Sequence, residues 1–193
     1  QRLRKGDILL AIDGNPLHSS ENVYRLLRWR ANRPILLTLQ GKDGKQREVS
    51  FIGGTFHQAI TQRYEAWVER NRRRVTRWSK GRFAYAHIRS MGLPSLDQFE
   101  RDLFAHAYGK DALVLDVRNN GGGWTTDRIL TMFRPKPHAI TQWRGSGKGY
   151  PAFRRPFYYW SKPVILLCNE RSISNAEIFS HAFKNLKLGT LVG

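Results

Sequence analysis

The chain holds a single cysteine, Cys168, which excludes an internal disulfide and a cysteine-ligated metal cluster. Within the apolar run Pro163–Cys168 it reads as a small buried residue, and such usage fits a reducing, cytoplasmic compartment. Long apolar runs are lacking as well: none approaches the roughly 18 residues that a membrane span needs. No secretory leader opens the sequence. It starts in mid-motif at Gln1 and stops on Val192-Gly193, which reads as a piece of a longer protein, so a periplasmic or secreted location stays open. Internal repeats and low-complexity tracts are absent. No pair of histidines has metal-ligand spacing with a carboxylate nearby, and neither metal nor cofactor is expected.

Acidic residues are scarce. Fifteen Asp+Glu stand against 33 Lys+Arg, a formal charge of +18 in 193 residues. A basic surface invites nucleic acid or another anionic partner. The positive residues are scattered, however, and no RNA- or DNA-binding signature accompanies them. The densest cluster, Arg70-Asn-Arg-Arg-Arg74, falls in a helical segment. It reads first as a solvated face, then as a docking site for an acidic partner, and last as a nucleic-acid contact. A hydrophobic content of 40%, with 12% aromatic, is enough for one or two packed domains.

Residues 1–52 form a first unit. Ile8–Ile12 reads as a strand, Asp13-Gly14-Asn15 as a tight turn, and Ser19-Ser20-Glu21 as the cap of a helix carrying Val23, Leu26 and Leu27. Pro34–Leu39 and a last strand to Ile52 flank a hairpin at Gly41-Lys-Asp-Gly44. Residues 53–80 read as a linker and a helix from about Gln62 to Trp78. Residues 81–193 alternate strands and helices, the pattern of an α/β core. Its parts are a strand over 81–88, a helix Leu96–Tyr108 capped by Ser95, a strand Ala112–Leu115, a helix Thr125–Phe133, an irregular excursion over 134–162, a strand Val164–Cys168, a helix Ala176–Asn185 and a strand from Thr190.

Two loops carry the chemistry. Asp116-Val-Arg-Asn-Asn-Gly-Gly-Gly-Trp124 follows one apolar strand, and Asn169-Glu-Arg-Ser-Ile-Ser-Asn-Ala-Glu177 follows another. In α/β proteins the loops at the carboxyl ends of strands hold ligands and reacting groups. Gly121, Gly122 and Gly123 let backbone N–H groups approach a ligand without Cβ interference. Ser174 adds a hydroxyl beside a helix N-terminus. A nucleophile next to such donors is the minimum equipment for acyl transfer. The glycine run lacks both the Gly-Lys-Ser/Thr ending of a nucleotide loop and the spacing of a dinucleotide fingerprint. Ser174 also reads, more plainly, as a helix cap. His87 reads as a structural residue on a strand, and His181 as a helix-surface or packing residue.

The first unit, through Gly6-Asp-Ile-Leu-Leu-Ala-Ile-Asp-Gly14, resembles the second half of a PDZ domain. With Gly81-Arg-Phe-Ala-Tyr-Ala-His-Ile88, the Asn119–Gly123 loop and Ser172-Ile-Ser-Asn-Ala-Glu177 following in order, the chain resembles the tail-specific, or C-terminal processing, serine peptidases. Arg63–Arg72 and Leu186–Gly193 are most similar to the tricorn branch. The resemblance implies a partial PDZ-like β domain followed by an α/β sandwich core of the ClpP/crotonase-like type. It implies a serine endopeptidase acting on polypeptides or oligopeptides, with Ser174 as nucleophile and the N–H groups of Gly123 and Asn175 as oxyanion hole. Asp116, Arg118, Asn120, Gly121, Gly122 and Glu177 would support the loops. The base would come from sequence outside this chain, leaving the chain inactive by itself. The resemblance also implies a homo-oligomer.

The sequence departs from the tricorn pattern at Asn175, where that branch has Asp, and over 134–162, where no acidic residue corresponds to the one that selects basic substrates. A catalytically silent PDZ-type peptide-binding module and a basic nucleic-acid-associated protein are the alternative readings.

Overall fold

The computed structural model describes residues 2–133, 137–153 and 159–193. The chain divides into two compact units, Gln1–Glu65 and Ala66–Gly193.

In the first unit, β1 (Ile8–Ile12), β2 (Asn15–Pro16), α1 (Val23–Leu27), β3 (Pro34–Gln40) and β4 (Gln46–Ile52) follow in order. The strands form one antiparallel sheet in the order β2-β1-β3-β4. Alternation along β3 buries Ile35, Leu37 and Leu39, which form this unit's core with Ile12 and Val49. The β1–β2 turn puts Asp13 at φ 48° and Gly14 at φ 77°. Asp13 secures it by accepting the Leu36 N–H at 2.8 Å. The cap of α1 is Asn22, whose side chain accepts from Tyr24 N–H, and not Ser19–Glu21. The helix is one turn shorter at its start than the expected cap allows, and Asn caps as well as Ser.

The next helix, α2 (Phe56–Trp78), begins six residues before the expected Gln62. Thr55 and Gln58 close a capping box: Gln58 N–H donates to Thr55 Oγ1 at 3.1 Å and Thr55 N–H to Gln58 Oε1 at 2.7 Å. The polar stretch that reads as linker is therefore helical.

The second unit contains β5 (Phe83–His87), α3 (Leu93–Asp102), β6 (Ala112–Asp116), α4 (Thr126–Leu130), β7 (Pro137–Thr141), β8 (Tyr150–Phe153), β9 (Val164–Leu167), α5 (Asn175–Asn185) and β10 (Thr190–Val192). Four strands make an all-parallel sheet in the order β10-β9-β6-β5. The helix expected over Leu96–Tyr108 starts at Leu93, with Pro94 in its first turn and Gly92 at the cap. Its last turn widens to a π-helix over Leu103–Ala107. Ser95 does not cap; its hydroxyl accepts the Ser90 N–H at 3.2 Å. α4 is shorter than expected, five residues. The excursion over 134–162 contains an antiparallel hairpin, β7 with β8. Proline, glycine and a register shift near Ala139 hide its alternation in the sequence, and residues 134–136 and 154–158 of it lie outside the described residues. Cys168 follows the end of β9 and is half-buried against the core rather than buried within the strand.

The sheet packs on helices through Leu113, Leu115, Leu166, Phe99, Phe179 and Phe183. The Phe183 ring lies 6.1 Å from both Phe133 and Phe179. Burying each such ring stabilises the fold by about 1.5–3 kcal/mol. Because the strands are parallel and His87 aligns with Asp116, and Asp116 with Leu167, the loops after β5, β6 and β9 leave the same sheet edge side by side.

Candidate active site

The loop after β6 lies between its two neighbours, and hydrogen bonds fasten it to both. Toward the β5 side, Met91 N–H donates to Gly122 O at 2.8 Å, and Trp124 N–H donates to Met91 O at 2.7 Å. This parallel bridge pairs Met91 with Gly123, so Gly123 turns its own N–H to the opposite side. There it has no partner among the described residues. A Cβ at Gly123, whose φ is 148°, would lie 2.1 Å from Met91 O, so the strand-like approach requires glycine. Asn120 is fully buried; its amide donates to Ile88 O at 2.8 Å and accepts from Gly122 N–H at 2.9 Å.

Toward the β9 side, Ile173 N–H donates to Asn120 O at 2.9 Å. Asn119 and Asn169 exchange a reciprocal pair, Asn119 N–H to Asn169 Oδ1 at 2.9 Å and Asn169 Nδ2 to Asn119 Oδ1 at 3.2 Å. The buried Ser172 hydroxyl donates to Val117 O at 2.8 Å and accepts from Asn169 N–H at 3.0 Å. These bonds bring the glycine loop against Ser174. A Cβ on Gly122, at φ 92°, would sit 2.8 Å from both Ile173 O and Ser174 Cβ and 3.1 Å from Asn175 N.

Ser174 has φ 58° and ψ −122°, a backbone conformation that costs a residue with a side chain of order 1–3 kcal/mol. A serine present only to cap a helix adopts β-region angles instead. The strain is held by α5 and the glycine loop, and it leaves the hydroxyl-bearing residue exposed at a sharp strand-to-helix turn. A capping box does form with Glu177, closed on the carboxylate side where Ser174 N–H donates to Glu177 Oε2 at 2.5 Å. On the hydroxyl side the approach does not reach hydrogen-bond geometry. Asn175, the first residue of α5, has a backbone N–H with no partner among the described residues.

Asp116 and Arg118 lie beneath the loop rather than beside Ser174. Asp116 is fully buried and receives Arg118 Nε at 2.9 Å, Arg118 Nη2 at 2.5 Å, Arg118 N–H at 3.0 Å and the Tyr85 hydroxyl at 2.8 Å. Burial, and then the Asp116 charge, raise the Tyr85 phenol well above its ordinary range. The hydrogen bond to Asp116 holds the Arg118 guanidinium more firmly protonated. Arg118 also stacks 5.7 Å from the Trp67 ring, which meets His87 edge-on at 4.8 Å. His87 is buried and its Nε2 lies 3.0 Å from Arg118 O; a carbonyl only accepts, so this nitrogen carries the proton. Burial lowers its pKa, and the ring is a neutral strut. His181 is exposed and pairs with Asn185 at 2.7 Å. Among the described residues no group of three His, Cys, Asp or Glu could hold a metal.

Residues 82–193 match peptidase family S41, and residues 2–52 match the tricorn protease PDZ domain. The chain belongs to peptidase family S41. Among S41-type relatives, it is 34% identical over 189 residues to the tricorn protease of Thermoplasma volcanium, an alignment covering 97% of this chain and 18% of that protein. It is 33% identical to a tricorn protease homolog of Saccharolobus solfataricus, covering 100% of this chain and 17% of that one. A crystal structure of the tricorn protease superposes with a TM-score of 0.75 at 32% identity, over 96% of this chain and 18% of that chain. The chain thus spans about a sixth of the length of these relatives.

Met91, Thr126, Asn169 and Ser172 were not singled out by sequence reasoning, although they build the site. Asn169 and Ser172 carried a signal, as side chains able to bond their own loop backbone. Met91 acts through its main chain and carried none.

Proposed function

We propose that the protein is a serine endopeptidase in which Ser174 is the nucleophile and the N–H groups of Gly123 and Asn175 are the oxyanion donors. The observation that carries this reading is the strained Ser174 backbone held against Gly122, next to two N–H groups without partners among the described residues. In the reaction, Ser174 Oγ bonds to the scissile carbonyl carbon while its proton passes to a base. The carbonyl oxygen becomes an oxyanion, and the Gly123 and Asn175 donors stabilise it. Collapse breaks the C–N bond, the base returns the proton to the leaving amine, and water then hydrolyses the acyl-enzyme by the same steps. A hydroxyl needs that base to react, and among the described residues of the second unit no histidine is hydrogen-bonded to Ser174. We assign it to sequence beyond this segment.

Asp116, Arg118, Asn120 and the glycines hold the loop; Glu177 holds the Ser174 N–H. Peptide capture by the PDZ-like part, residues 1–52, is consistent with this chemistry. The single free Cys168 agrees with a cytoplasmic location, and resemblance to tricorn proteases supports a homo-oligomer. Among the described residues no helix is long and apolar enough to cross a membrane.

The test is hydrolysis of internally quenched peptides by the full-length protein and its Ser174→Ala form. Loss of about 10⁶-fold in kcat supports the reading. Unchanged hydrolysis, or a full-length protein that binds peptides and never cleaves them, overturns it.

A further inference from the structure

The proposed peptidase chemistry leaves the outer face of α2 unused. Arg70, Arg73, Arg74 and Arg77 stand at i, i+3, i+4 and i+7, so all four share one face of the helix. All four are exposed. Glu69 neutralises Arg73 at 2.7 Å. Arg70, Arg74 and Arg77 enter no ion pair among the described residues. Like charges at these spacings destabilise a helix, and the row stands despite that cost.

Neighbouring side chains of the same segment are held inward, against β5, the loop after β6 and α3. Trp67 packs on His87 and Arg118, Asn71 donates to the Tyr85 hydroxyl at 3.3 Å, and Arg72 reaches the buried Asp102 at 3.5 Å. With those residues turned inward, the arginine row faces solvent on a rigid support.

We propose that this row docks an acidic segment of a polypeptide; that the partner is a polypeptide rests on the peptidase reading. Guanidinium forks match carboxylates two bonds at a time. Arg70, Arg74 and Arg77 lie at about 0, 6 and 10 Å along the helix axis. An extended peptide places alternate side chains on one face about 7 Å apart. Three acidic residues at alternate positions therefore span the row. Nucleic acid fits less well: stacking of successive bases needs several exposed rings along the track, and on this stretch Trp78 alone is exposed, Trp67 being turned inward.

The test uses the full-length protein with two quenched peptides of one scissile sequence, one extended by an alternating Glu block and one by an uncharged block. Wild type is compared with R70E/R74E/R77E and with R70K/R74K/R77K. The expected result is a KM for the acidic peptide raised about tenfold by charge reversal and less by the lysine variant. Both kcat values and the KM of the uncharged peptide should stay unchanged, which also shows the variant to be folded. Equal KM values in wild type and the charge-reversal variant overturn the proposal. If wild type cleaves neither peptide, the peptidase reading fails, and fluorescence anisotropy decides the docking proposal separately. Binding of the acidic peptide that is lost on charge reversal supports it, and no binding overturns it. Tighter binding of a single-stranded RNA of equal charge, lost in the same variant, overturns it in favour of nucleic acid.

Discussion

Thr126 and Asn175 hold one another by two hydrogen bonds: Thr126 N–H donates to Asn175 Oδ1 at 3.1 Å, and the Thr126 hydroxyl donates to Asn175 O at 2.8 Å. Thr126 is the buried first residue of α4, and Asn175 is the first of α5. The pair clamps the two helix starts together and, by gripping the side chain and carbonyl of Asn175, orients the residue that carries the Asn175 N–H. Replacing Thr126 by Val removes one of the two bonds while Asn175 O keeps its helical partner, at a cost of about 0.5–1.5 kcal/mol. We expect kcat to fall about tenfold in the Thr126→Val form with KM little changed, and Thr126→Ser to restore it. A peptide-hydrolysis assay on the full-length variants checks this; equal losses in the Val and Ser forms would contradict it.

Gly122→Ala should damage activity more than stability. Its Cβ would press on Ser174 Cβ and Ile173 O, both 2.8 Å away, and its φ of 92° is unfavourable for a side chain by about 1–2 kcal/mol. Displacing the proposed nucleophile, Ser174, by about 1 Å should cost roughly 100-fold in kcat. Gly123→Ala should instead fail to fold stably, because its Cβ meets the Met91 backbone at 2.1 Å. Thermal melts with paired kinetics separate the two.

Arg118→Ala should lower stability by about 3 kcal/mol, since it strands the buried Asp116 carboxylate with Tyr85 as its remaining side-chain donor. Arg118→Lys should recover part of it, having charge but no fork. Urea denaturation measures both.

Stability should depend on pH at both ends of the range. Burial holds the pKa of His87 below 6.5, so the unfolded chain binds that proton first and stability falls as pH drops below about 6.5. Tyr85 is raised above 10.0, so the unfolded chain ionises first and stability falls as pH climbs past about 10. His87→Asn should flatten the acid limb and Tyr85→Phe the alkaline one, each followed by melting temperature against pH.

The sheet of the second unit was legible because fully apolar runs such as Ala112–Leu115 and Val164–Cys168, each ended by a polar loop, mark buried parallel strands. The adjacency of the glycine loop and Ser174 was implied by the family resemblance; the β9-β6 neighbourhood that produces it has no mark in the sequence. The start of α2 was missed because a Thr-x-x-Gln box at Thr55–Gln58 sits in a polar stretch with little apolar periodicity. The π-turn at Leu103–Ala107 was illegible, since its apolar spacing still suits an α-helix. At the site, Asp116, Arg118 and Asn120 were marked by their motif, whereas Thr126, Asn169 and Ser172 were missed although they act through side chains. Met91, which positions Gly123 through its main chain, was missed because its fully buried side chain reads only as core.

The most direct measurement is treatment of the full-length protein with a serine-directed phosphonate, followed by mass mapping of the adduct. The account predicts one covalent adduct, on the hydroxyl of Ser174, that disappears in Ser174→Ala. An adduct on a different residue, or labelling undiminished by that substitution, would contradict it.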